Sequence, residues 1–144
     1  MKIVLQRVKK ASVTINNQLH SSINQGILVL IGIEKGDTDE VIKKYAQKTA
    51  KLRIFADEND KMNLSITDIK GEILVVSQFT LAGDCKKGTR PSFDNSAPPT
   101  EANRLYELYI RELKSLNISV KTGVFAAMMD VELINDGPVT FILG

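Results

Sequence analysis

Apolar and polar positions alternate from the start of the chain. Residues 2–8 read as a strand, and 11–16 read as a second with Val13 and Ile15 on one face. Asn16-Asn17 marks a turn into a third strand around 19–23. Residues 27–33, ILVLIGI, are an unbroken apolar run between Gly26 and Gly36, the pattern of a strand buried on both faces. The period then changes: Val41, Ile42, Tyr45, Ala46, Thr49 and Leu52 recur at helical spacing. Asp37 or Thr38 serves as the N-cap, with acidic residues 39 and 40 in the first turn. Asp57–Lys61 is a charged turn, and residues 71–81, GEILVVSQFTL, read as another buried strand with a polar end. Thr100 is the expected cap of a second helix whose apolar stripe is Leu105, Leu108, Tyr109, Leu113 and Leu116. From about Val120 to Leu143 the pattern predicts two or three strands around Asn135-Asp136-Gly137-Pro138. The predicted fold class is mixed α/β (α+β), with curved, mostly antiparallel sheets forming a barrel-like core under two helices. Residues 1–144 are expected to make a single domain.

Composition narrows the chemistry. With 43% apolar and 25% charged residues the chain has the make-up of a soluble globular protein, and no segment approaches the ~20 apolar residues of a membrane span. The N-terminus lacks the apolar core of a secretory signal, so a cytoplasmic location is expected. A single cysteine, Cys85, excludes an internal disulfide and a cysteine-based metal cluster; no metal or cofactor is expected. A single histidine, His20, expected on an outer hairpin, leaves little from which to build a Ser–His or Cys–His pair. Net charge is only +2, so contact with RNA would be local, through Lys86, Lys87 and Arg90.

Those three cations lie in a segment of about eighteen residues, 82–99, without clear periodicity, and loops that long in a small domain are commonly functional. Its Gly83–Thr89 stretch lacks the lysine that a phosphate-binding loop carries after its second glycine, and Pro91 follows, which excludes a nucleoside triphosphatase. The better candidate is Ser77-Gln78-Phe79-Thr80, where a strand filled by Ile73, Leu74, Val75 and Val76 turns polar. Backbone N–H groups leaving a sheet there can face a developing oxyanion, and Ser77 and Gln78 can orient a carbonyl or hydroxyl. Thr80 as a covalent nucleophile would need a base that only Asp84 or Lys86 could offer. Gly137-Pro138 reads as a turn able to expose carbonyls to a ligand, and sequence does not decide whether its bond is cis.

Six segments add a family likeness. QRVKKASVTI at 6–15, KLRIFAD at 51–57, KMNLS at 61–65, LVVSQFTL at 74–81, RPSF at 90–93 and NDGPVTF at 135–141 stand in one order and spacing. Together they resemble the bacterial and eukaryotic D-aminoacyl-tRNA deacylase family from end to end. The resemblance implies a homodimer with an active site at the subunit interface, acting on the 3′-terminal adenosine of D-aminoacyl-tRNA. Ser77, Gln78, Phe79 and Thr80 would form the catalytic wall, with Met129 beside it and a cis Gly137-Pro138 supplied across the dimer. It further implies rejection of L-aminoacyl esters by Gly137-Pro138, some hydrolysis of glycyl-tRNA, and help from the adenosine 2′-hydroxyl. Two positions depart from the family pattern: Cys85, where threonine is frequent, and Met128, where aspartate is frequent. Alternatives are an editing enzyme for misattached L-amino acids, which an intact Gly137-Pro138 opposes, and a non-catalytic RNA-binding dimer.

Overall fold

The computed structural model describes residues 1–144. Its elements in chain order are β1 (Lys2–Ile15), β2 (Gln18–Ile23), β3 (Gly26–Gly32), α1 (Asp39–Lys51), β4 (Phe55–Ala56), β5 (Met62–Leu64) and β6 (Glu72–Ser77). A 3₁₀ turn at Phe79–Ala82 follows, then α2 (Pro99–Ser115), β7 (Ser119–Thr122) and β8 (Asp130–Leu143). The main sheet runs β2-β1-β3-β6-β7, with β8 on the other edge of β1, and it curls into a nearly closed barrel. Pairings of β1 with β2, β3 and β8 are antiparallel, whereas β3–β6 and β6–β7 are parallel. No helix is long and apolar enough to cross a membrane.

The mixed architecture follows from which faces are apolar. Ile27, Val29, Ile31, Ile73 and Val75 point to the helices, where Ile42, Ala46, Leu105, Tyr109 and Leu113 meet them. Leu28, Leu74 and Val76 point the other way, into a second cluster with Val8, Ala11, Val13 and Ile23. Strands β3 and β6 are therefore covered on both faces, as their unbroken apolar runs predict. Each fully buried Leu or Ile contributes about 1.5–3 kcal/mol, so the end of β6 is held rigidly in place.

Several expected boundaries move. The first two predicted strands are one, β1, bent where its register against β8 shifts between Val8 and Lys10. That bulge inverts the alternation: Ile3 and Leu5 face the helices, while Ala11 and Val13 face the second cluster. The Asn16-Asn17 turn forms as expected, with φ of 50° and 62°. Thr38 caps α1 through a bond from the Val41 N–H, while Asp37 accepts from the Glu34 N–H and the Met1 ammonium. α2 starts earlier than its threonine suggests, at Pro98-Pro99, so Thr100 lies inside the helix; proline suits a first turn whose N–H groups lack partners. The tail forms two strands, and Gly137-Pro138 lies within β8 instead of in a turn between strands.

Candidate active site

Ser77 ends β6 opposite Ile31, and the Gln78 N–H makes the last bond of that ladder, to the Ile31 carbonyl at 2.8 Å. The chain then leaves the sheet. The strand predicted to continue to Leu81 instead tightens into the 3₁₀ turn, because Leu81 N–H returns to the Gln78 carbonyl (3.2 Å) and Gly83 N–H to that of Thr80 (3.0 Å). Opening a helical turn leaves the N–H groups of Phe79 and Thr80 with no acceptor in the chain. Gly32 makes this possible: a Cβ there would lie 2.7 Å from the Gln78 carbonyl oxygen and 3.0 Å from the Leu81 Cβ.

Side chains brace the turn. The Gln78 amide donates to the Thr80 hydroxyl, and Phe79, 56% exposed, packs on Phe93 with ring centroids 5.1 Å apart. Ser96 Oγ reaches the Phe79 carbonyl at 3.5 Å. Gly83 packs so closely that a Cβ would lie 2.9 Å from the Thr80 carbonyl oxygen and 3.0 Å from the Phe93 ring. The long loop is thereby anchored at its base, and paired backbone bonds between Asp84 and Ser92 close its tip. Lys86, Lys87 and Arg90 project from that tip, exposed and free of ion pairs, as does Cys85.

No titratable side chain occurs between Ser77 and Gly83. His20 is exposed on β2. Tyr106, behind the wall, donates its hydroxyl to the Val75 carbonyl at 3.0 Å. Its burial, reinforced by the nearby Glu107 charge, pushes its pKa up to about 12, so it stays a protonated brace. The Thr80 hydroxyl has the Gln78 amide as its partner and no base, which argues against a covalent route. Thr80→Ala is accordingly expected to keep activity within about tenfold of wild type, since a lost neutral hydrogen bond costs about 0.5–1.5 kcal/mol. Complete loss of turnover with an unchanged Tm would restore the nucleophile.

Met129 packs beside Gly123 and the cluster that contains Val76, the residue before Ser77. Its Sδ accepts from the Val124 N–H at 3.4 Å and covers Gly123, where a Cβ would lie 2.6 Å from that sulfur and 3.6 Å from Val76 Cγ2. Met128 points outward, 91% exposed.

Gly137-Pro138 is elsewhere. The bond is cis, both residues are exposed, and they stand level with Arg7 on β1. Ser77 is level with Ile3 by way of Ile31, three strands across and four residues along. At about 4.8 Å per strand and 3.3 Å per residue the two features are on the order of 15–20 Å apart within one chain.

Arg7, which the sequence reading did not single out, holds the pair in place. Its Nε donates to the Asp136 carbonyl at 3.0 Å and its Nη1 to the Ile54 carbonyl at 2.7 Å. The Asp136 carboxylate lies 3.4 Å from Nε, and the arginine side chain is only 13% exposed. A charged residue alternating with Val8 and Leu5 in a half-buried strand was the available signal.

The D-Tyr-tRNA(Tyr) deacylase family model matches residues 4–144. A D-aminoacyl-tRNA deacylase of Pseudoalteromonas translucida is 57% identical over 143 residues, 99% of each chain. One from Thermodesulfovibrio yellowstonii is 57% identical over 140 residues, 97% of this chain and 96% of its own. Among solved structures, the c-Myc DNA unwinding element binding protein has a TM-score of 0.94 at 40% identity, covering 100% of this chain and 98% of that one. A probable eukaryotic D-amino acid tRNA deacylase shares the fold, with a TM-score of 0.83 at 16% identity over 99% and 97% of the two chains. Likeness at this level, sustained over almost every residue, means that this chain belongs to the D-Tyr-tRNA(Tyr) deacylase family.

Proposed function

We propose that this protein hydrolyses the ester of D-aminoacyl-tRNA in the cytoplasm, releasing tRNA and the D-amino acid before it enters translation. The observation that carries the reading, in a chain of this family, is the pair of free N–H groups at Phe79 and Thr80 on the rigid end of β6. Two such donors suit the oxyanion that forms when water adds to the ester carbonyl, and losing one typically costs about 10²–10³ in rate. Ser77 and Gln78 orient the terminal adenosine, and Met129 closes the pocket floor. Because no titratable group lines the wall, the adenosine 2′-hydroxyl assists the attacking water. A substrate ending in 2′-deoxyadenosine is expected to react at least about a hundredfold more slowly, the usual scale of positioned proton transfer. Normal turnover of that substrate would put the activating group on the protein.

The wall and Gly137-Pro138 are far apart in one chain, which supports a homodimer in which each subunit lends the pair to its neighbour's pocket. Main-chain atoms there would press on the substrate α-carbon, excluding an L side chain and leaving a D side chain free. Glycine has no side chain to exclude, so glycyl-tRNA is also hydrolysed. Lys86, Lys87 and Arg90 flank the wall and meet phosphates near the RNA terminus.

Incubation with D-tyrosyl-tRNA and L-tyrosyl-tRNA side by side tests the reading. Loss of the D ester alone is expected. Loss of both would indicate L-amino acid editing. Loss of neither would favour a nucleic-acid-binding module, the activity named for the DNA unwinding element binding protein it resembles.

A further inference from the structure

We propose that the exposed lysine ridge of α1 docks the sugar-phosphate backbone of the tRNA stem leading to the substrate ester, an inference that rests on the deacylase reading above. Between Val41 and Arg53 the chain carries Lys43, Lys44, Lys48, Lys51 and Arg53 and no carboxylate. All five are exposed, while Ile42, Ala46, Thr49 and Ala50 bury the opposite face of the helix. Lys44, Lys48 and Lys51 follow at i, i+4 and i+7, so they rise along one face at intervals of about 6 and 4.5 Å. None of the five takes part in an ion pair, whereas Arg104 of α2 is held by Asp39 and Glu101. Lys48 and Lys51 also suit the negative end of the helix dipole. That role does not account for Lys43 and Lys44 in mid-helix, or for Arg53 beyond its end.

The ridge leads to the candidate site. Arg53 directly precedes Ile54, whose carbonyl accepts Arg7 Nη1 at 2.7 Å. Arg7 Nη2 in turn lies 3.3 Å from the Cβ position of Gly137. An ester seated against Gly137 belongs to a polyanion that must run away from that point, and the ridge ends at Arg53, one residue from the carbonyl that holds Arg7 beside it. Attraction to phosphates of this kind is independent of base sequence, as a surface outside the pocket requires. An anionic membrane fits less well, because a membrane-binding helix needs its apolar face free and that of α1 is buried in the core.

The test titrates the full-length protein with deacylated tRNA by fluorescence anisotropy across a range of salt concentrations. In Lys44→Gln/Lys48→Gln/Lys51→Gln the Kd is expected to rise about tenfold and the slope of log K against log salt to fall by up to about three, given roughly 0.9 per phosphate. The corresponding triple arginine variant restores both. Hydrolysis of D-tyrosyl-adenosine, too short to reach the ridge, keeps its rate and reports folding. Lys44→Glu, outside the last turn and its dipole, is expected to weaken tRNA binding severalfold by itself. Wild-type affinity and slope in the folded variants overturn the proposal. So does loss of phosphatidylserine-vesicle binding with tRNA affinity intact. If the ridge binds tRNA but no D-aminoacyl ester is hydrolysed, the deacylase reading falls and the docking surface stands.

Discussion

Gly137→Ala is expected to fold and to lose about a hundredfold or more in kcat on D-tyrosyl-tRNA. Gly137 has a φ of +134°, a region nearly closed to residues with a side chain and costing them about 1–3 kcal/mol. Space is short as well: the new Cβ would lie 2.7 Å from Val139 Cγ2, 3.0 Å from the Val139 nitrogen and 3.3 Å from Arg7 Nη2. Val139 is buried, so the exposed Gly137-Pro138 backbone must give way. A displacement on the order of 1 Å at a group that positions substrate costs about 10²-fold in rate. Gly36→Ala is the control. Gly36 also has positive φ, at 87°, but a Cβ there meets nothing within 4 Å, so no neighbour has to move. It should lower the Tm while kcat holds. Single-turnover deacylation and thermal melts on both variants decide the matter, and full activity in Gly137→Ala would remove the pair from the site.

How much of this was legible depends on where each feature's cause lies. β3, β6 and both helices were readable because their burial is written as local periodicity, in ILVLIGI and in the spacing of Leu105, Tyr109 and Leu113. Polar residues at element ends were harder. Thr100 looks like a cap and Gln78-Phe79 like a strand, but two prolines set the start of α2 and a tight turn beside Gly32 ends β6. Gly-Pro reads as a strand breaker, since proline donates no ladder bond. Here β8 lies at the edge of the sheet, where a missing donor is tolerated, and its register shifts against β1 absorb the pair. The SQFT segment was singled out by its loss of apolar character and by family likeness together. Met128, at a position expected to depart from the family pattern, is outside every packed contact of the chain, so the residue there changes no internal contact. For Arg7 the sequence offered only a charge in a half-buried strand and nothing about its partners, because the carbonyls it joins are 47 and 129 residues away.

Arg7→Ala is expected to cost about 2–4 kcal/mol of stability and at least about tenfold in kcat. The first figure follows from two hydrogen bonds with a charged donor, each worth about 1.5–3 kcal/mol, reduced for partial exposure. The second follows because the Asp136 carbonyl immediately precedes Gly137, so releasing it loosens the residue proposed to contact substrate. Arg7→Lys separates charge from geometry. A lysine keeps the positive charge beside the Asp136 carboxylate, but a single ammonium cannot span the Asp136 and Ile54 carbonyls as a planar fork does. If the ion pair were what mattered, lysine would rescue the rate. The 3.4 Å ion pair is longer than either carbonyl bond, 2.7 and 3.0 Å, which places the fork first. Arg7→Lys is therefore expected to recover part of the Tm and little of kcat. Wild-type turnover by the lysine variant would mean that Asp136 and Gly137 are held by β8 alone, and that Arg7 serves only the fold.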